Sequence, residues 1–177
     1  MNSQSPLDLL RNLDVRCRQH ALNLPSPIET KEEWLGVGFR MGEKLFVASL
    51  VEVAEILYYP SLSKVPGTKP WVCGIANVRG NLLPVLDLRG FLGTPSHLER
   101  QSRVLVVNHE NVYSGLVVDQ VLGLKHFLQE SHQKRIADLD GAYKPYMQGT
   151  FENKEGEWNV FSMHKLAESP QFLHVAY

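Results

Sequence analysis

The stretch from Gly74 to Leu88, GIANVRGNLLPVLDL, constrains this chain more than any other, because two apolar runs meet there at a polar turn. Gly80-Asn81 carries a two-residue hairpin signal in which glycine supplies the positive φ of a type II′ turn. That register sets Val78 against Leu83 and Ala76 against Val85 on one wholly apolar side, with Arg79 against Leu82 and Asn77 against Pro84 on the other. The first side is predicted core and the second accessible. The same register puts Pro84 at a hydrogen-bonded pair, where proline has no N–H to give, so a bulge or a longer loop is an equal alternative.

The rest of the chain reads as further short strands. Ser5 to about Leu22 has a cap, a proline at the first helical position and a leucine face, which predicts an N-terminal helix; Pro25-Ser26-Pro27 and an acidic linker follow. From Trp34 the period becomes two, with Leu35, Val37, Phe39 and Met41 on one face, and Gly42-Glu43 turns the chain into a return strand over Leu45 to Ala48. Ser49-Leu50-Val51-Glu52 fits a capping box, and Leu50, Val53, Ala54 and Leu57 give the stripe of a short helix ended by Pro60. Arg103 to Val107 and Tyr113 to Leu122 are strands, Phe127 to Pro145 a long loop, and Gln148 to Phe151 with Glu157 to Met163 a last hairpin, after which Ser162 caps a turn of helix. Residues past Pro170 read as a tail. Short strands between glycine and proline turns, with brief helices, predict a mainly β fold of one barrel or paired barrels.

A chain of 177 residues buries roughly two-thirds or more of its unfolded surface without help from disulfides or metals. Eighteen basic and 19 acidic residues balance too closely to hold phosphate runs or an anionic membrane, which argues against nucleic acid and against direct membrane insertion. No signal segment or apolar run of membrane-spanning length is visible, so a cytoplasmic location is expected. Cys17 and Cys73 read as small buried hydrophobes.

Little in the sequence points to chemistry. Gly36-x-Gly38 lies within a strand, where a dinucleotide fingerprint would not sit, and Asp138-x-Asp140-Gly141 lacks the remaining ligands of a calcium loop. Histidines 20, 97, 109, 126, 132, 164 and 174 show no metal-ligand spacing, and neither a nucleophile elbow nor a phosphate loop is present. No cofactor and no catalytic residue is expected. Arg79 beside the hairpin tip is either a solvated turn residue or a planar donor fork for a partner's carboxylate, and Glu55 poses the same choice.

Four segments together resemble the CheW family of chemotaxis coupling proteins from about Leu35 to Ala167: GFRMGEKLFVASLVEVAEILYYPSLSKVP, WVCGIANVRGNLLPVLDLRGFLG, RVLVVNHENVYSGLVVDQV and YMQGTFENKEGEWNVFSMHKL. The Gly-Ile-x-Asn-x-Arg-Gly-x-x-x-Pro-Val-x-Asp-Leu pattern is the specific part. The acidic linker and the leucine-rich helix before it resemble the branch that serves type IV pilus twitching systems.

The resemblance implies two small five-stranded β-barrels with an apolar core between them, divided as an N-terminal helical extension over 1–33, a CheW-like domain over 34–169 and a tail over 170–177. It implies a non-enzymatic adaptor at receptor arrays on the inner face of the membrane, binding a chemoreceptor's cytoplasmic tip and the regulatory domain of a CheA-type histidine kinase. Carried over by position, Val53, Glu55, Gly74, Asn77, Arg79 and Gly80 match partner-binding positions. The alternatives are a cytoplasmic small-ligand sensor, which calls for an enclosed pocket, and a hydrolase built from the scattered histidines.

Overall fold

A computed structural model describes residues 7, 10, 32–94, 99–135, 139 and 141–176. The predicted N-terminal helix lies outside these residues except for Leu7 and Leu10, which are helical. The chain forms β1 (Glu33–Met41), β2 (Lys44–Ser49), β3 (Glu55–Tyr58), β4 (Val72–Val78), β5 (Asn81–Asp87) and the helical turn α1 (Leu88–Phe91). It continues through β6 (Arg103–His109), β7 (Val112–Val118), β8 (Gln120–Leu128), β9 (Met147–Asn153), β10 (Gly156–Phe161), α2 (Met163–Ala167) and α3 (Pro170–Leu173).

These strands make two five-stranded sheets, ordered β8-β1-β2-β10-β9 and β3-β6-β7-β5-β4. The first sheet therefore takes strands from both ends of the domain, and the second is inserted between them. Each curls into a barrel. Gln133, just past β8, bridges Thr150 on β9, and Ser63, just past β3, bridges Ile75 on β4, so the edges of each sheet are brought together. The mainly β, two-barrel expectation is met.

Strand alternation then divides the apolar side chains into three layers. Val47, Phe127, Phe151, Trp158 and Val160 fill the first barrel; Ala76, Leu83, Val85, Val104, Val106 and Val117 fill the second. Between the barrels lies the largest cluster, where Val37, Phe39 and Phe46 from one meet Leu86, Leu105 and Leu116 from the other, with Phe161 and Leu166. The glycines of β1 serve the first barrel: a Cβ on Gly38 would stand 2.9 Å from the Trp158 ring, and one on Gly36 would collide with Trp34. The Gly-x-Gly spacing thus makes room for tryptophan.

Four local expectations are corrected. The predicted short helix is a 3-10 turn over Leu50–Glu52, after which Ala54 N–H donates to Val106 C=O at 2.8 Å and the chain runs on as β3. Ser49 makes no capping bond. Glu52, 8% exposed, instead accepts from Ser162 Oγ at 3.0 Å and from Met163 N–H at 2.7 Å, so it caps α2 from more than a hundred residues away. Second, the strand predicted to run to Leu122 breaks at Asp119, and β8 extends to Leu128 into what reads as loop. Asp119 Oδ2 at this break accepts Gly42 N–H at 2.6 Å and Arg89 Nη1 at 2.8 Å, tying the β1–β2 turn to α1. Third, residues past Pro170 are no loose tail, because Phe172 is buried and Thr68 bridges Ala176. Fourth, the hairpin turn sits one residue earlier than expected, as detailed below.

Removing the Glu52 carboxylate leaves Ser162 Oγ and the Met163 N–H without their acceptor in a buried site. Glu52→Ala is expected to cost about 2–3 kcal/mol, read as a lower urea midpoint at unchanged slope; an unchanged midpoint would show that water takes over both bonds. Burial first, then the charge of Asp87, pushes the Cys73 thiol up to about 11, against a hydrogen bond from Tyr59 that works the other way. Below that value the group is thiol and above it thiolate, so Cys73 stays protonated at pH 8, and its alkylation, read on its own peptide, should run on the order of 100-fold slower than for an ordinary exposed thiol.

Candidate functional site

The β4–β5 hairpin pairs Val78 with Asn81, Asn77 with Leu82, Ala76 with Leu83 and Ile75 with Pro84. Its two central residues are therefore Arg79 and Gly80, at φ of +53° and +87°, which is type I′ geometry instead of the predicted type II′ at Gly80-Asn81. This register removes the proline difficulty. Pairs directly opposite one another alternate between bonded and non-bonded, and Pro84 now faces Ile75 at a non-bonded pair. Ile75 turns its N–H and C=O the other way, each bonded to Ser63 at 2.9 Å. Because the turn moved by one residue, pair sums changed by two and no side chain changed face: Ala76, Leu83 and Val85 are buried as expected.

Arginine is an unusual occupant of the first position of a type I′ turn, where asparagine and glycine fit the left-handed backbone and other side chains cost roughly 1 kcal/mol or more. Local support comes from Asn77, whose Oδ1 accepts the Gly80 N–H at 2.9 Å. The strained backbone aims the Arg79 side chain, 77% exposed, across to β3, where Nη2 meets Glu55 Oε1 at 2.5 Å. An ion pair this exposed adds little to stability. Its effect is to hold a guanidinium fork and a carboxylate in fixed positions at one end of the second barrel.

Of the residues expected at a partner site, the structure brings Glu55, Asn77, Arg79 and Gly80 together at this tip. Val53 and Gly74 stand apart from it. Val53, extended after the 3-10 turn, is partly buried against the inter-barrel core. Gly74 is buried at φ +141°, and a Cβ there would stand 2.5 Å from the Ser63 carbonyl oxygen, so its role is to let the β3–β4 connection approach β4.

A second surface feature has no polar signature and was not singled out by pattern. Leu35 and Leu124 lie diagonally across the β1–β8 ladder, on the face that carries Val37 and Phe39 into the inter-barrel core. They remain 36% and 51% exposed. Leu50 and Val51, at the end of β2 beside β1, are exposed as well. Alternation on β1 places Leu35 on the core-facing side of the sheet, and pairing with Val37 places Leu124 there too. Among the described residues no group of three or more His, Cys, Asp or Glu is arranged to hold a metal, and no helix is long and apolar enough to cross a membrane.

Comparison with known proteins agrees with this architecture. The family model described as CheW-like domain matches residues 35–171. Protein PilI of Pseudomonas aeruginosa is 48% identical over 98% of this chain and 97% of that protein. Chemotaxis protein CheW of Bacillus subtilis is 29% identical over 55% of this chain and 62% of that protein. The crystal structure of scaffolding protein TtCheW from Thermoanaerobacter tengcongensis matches 79% of this chain and 96% of that chain with a TM-score of 0.69 at 23% identity, a likeness of fold. A family-model match running from β1 to α3, together with 48% identity to a relative over nearly the whole chain, establishes that the chain belongs to the CheW-like domain family.

Proposed function

We propose that this chain is a non-enzymatic adaptor that couples a chemoreceptor to a CheA-type histidine kinase in a chemosensory system controlling type IV pilus twitching motility. It acts in the cytoplasm, at receptor arrays on the inner face of the membrane. The observation that carries the reading is Arg79: a residue poorly suited to its left-handed turn, held in an exposed ion pair that does little for the fold. Backbone strain without local benefit points to a demand on the side chain from outside the domain. The narrower assignment to twitching rests on the long match to the protein named PilI.

The two surface features suit two partners. The hairpin tip, with Arg79 and Glu55 fixed, offers complementary charges to the kinase's regulatory domain. The exposed apolar pair Leu35 and Leu124 offers what an amphipathic helix needs, and a receptor's cytoplasmic tip is helical. Because both features sit on one rigid scaffold, binding free energy at one can be linked to the other. The ligand-sensing alternative calls for an enclosed pocket, whereas the clefts near Trp71 and near Cys73 open to solvent.

Binding of the purified chain to the kinase regulatory domain and to a receptor tip, measured separately, tests the reading. Arg79→Glu is expected to weaken kinase-domain binding by about tenfold or more, about 1.4 kcal/mol, and Leu124→Asp to do the same for the receptor tip. Failure of the wild-type chain to bind either partner would reject the adaptor reading. Arg79→Asn should separate function from fold, since asparagine suits the turn. It is expected to raise stability by about 0.5 kcal/mol in urea titration while still weakening binding; loss of stability instead would mean that Arg79 serves the hairpin.

A further inference from the structure

Two residues other than glycine take a positive φ among the described residues, Arg79 at +53° and Glu110 at +51°. The adaptor reading uses the first and leaves the second unexplained. Glu110 occupies the first central position of the β6–β7 turn, since His109 pairs with Val112. Glycine takes that backbone without strain, and asparagine is among the few other residues that visit it readily. Asn111 follows at once, yet the left-handed position falls to the glutamate. The Glu110 carboxylate is exposed and has no hydrogen bond or ion pair among the described residues, so the domain gains no contact from its strained residue.

The topology sets both strained residues at one end of the second barrel. β5 and β7 run parallel with Val85 opposite Gly115, so Leu82 near the start of β5 is level with Val112 at the start of β7. The turns that precede these strands therefore lie side by side, two strand spacings or about 10 Å apart. One turn carries a cation and the other an anion, and Leu82 between them is 68% exposed. The β6–β7 turn is anchored from behind: His109 Nε2 and Glu168 Oε1 stand 2.9 Å apart, and the His109 ring stacks on His164 at 3.8 Å. Both charges are thus presented from fixed backbone, and little ordering is needed when a partner arrives. An apolar side chain flanked by opposite charges in a set order selects for a surface of the complementary order.

We infer that Glu110 is a specificity-determining residue of the Arg79 tip: the partner face docked there sets a lysine or arginine against Glu110, an apolar side chain against Leu82 and a carboxylate or carbonyl against Arg79. The inference rests on the reading of that tip as the contact for the kinase regulatory domain, and it adds the cation that this domain supplies. A related domain without the cation leaves Glu110 desolvated and unpaired, which is how the tip rejects it.

The test measures binding of the kinase regulatory domain to the full chain carrying Glu110→Lys or Glu110→Gly, with urea titration of each variant. Glu110→Lys is expected to bind about tenfold or more weakly. Glu110→Gly should raise the urea midpoint, because glycine relieves the backbone, and should still weaken binding; receptor-tip affinity should stay unchanged in both. Unchanged kinase-domain affinity in the two variants, while Arg79→Glu weakens it, would overturn this inference and leave the adaptor reading standing. Failure of the wild-type chain to bind the kinase domain would overturn both. A lower midpoint in Glu110→Gly would mean that the carboxylate serves its own hairpin, and would overturn the inference. So would reversible dimers of the chain that Glu110→Lys and Arg79→Glu each abolish and an equimolar mixture restores, since they assign the tip to a second copy.

Discussion

The structure depends on the apolar layer shared by two barrels that are each too small to stand on their interiors. Among the described residues, six buried side chains fill one barrel and five the other, while 21 form the layer between them. At about 25 cal/mol per Å² of apolar surface removed from water, the shared layer is the dominant favourable term. It also explains why the first barrel is built from both ends of the domain and the second from the middle. The chain crosses between them after β2 and again at Asp119, and both crossings are fastened by carboxylates, Glu52 to the start of α2 and Asp119 to Gly42 and Arg89.

That dependence sets what could be read in advance. Strands whose faces differ in polarity were legible, and so was the inner side of the central hairpin. Its turn reads one residue late because Gly-Asn fits a two-residue turn as well as Arg-Gly, and the proline that discriminates between them does so only through pairing geometry. The β3 segment reads as helix since Leu50, Val53, Ala54 and Leu57 recur at helical spacing after an apparent capping box. Pairing with β6 overrides that local preference, and the capping carboxylate is drawn away to α2. The end of β8, Phe127 and Leu128, reads as loop because the polar run from Gln129 to Arg135 follows it directly, although Phe127 is buried in the first barrel.

The candidate site was half legible for a related reason. Arg79 and Glu55 are visible in the sequence as separate polar residues, but their contact spans 24 positions and exists only because β3 is a strand. With Glu55 on a helix the pair has no defined geometry. Val53 and Gly74 match the same family pattern, yet their surroundings are those of packing residues: one against the shared layer, the other against the Ser63 carbonyl. Family patterns mix residues that face outward with residues that hold them, and burial is what separates the two.

The open cleft beside Trp71 was illegible altogether, since its walls come from segments a hundred residues apart and its C-terminal half reads as tail. Its position follows from the fold. The hairpin that ends in Arg79 begins beside Trp71, whose carbonyl accepts the Asp87 N–H at 2.7 Å, so one rigid ladder carries the ion-pair tip at one end and the aromatic groove at the other. An adaptor acts by where it holds its surfaces relative to one another. Two barrels locked through a common core fix those positions with little freedom to drift, and a strained arginine at the tip is tolerable only on a scaffold that stiff.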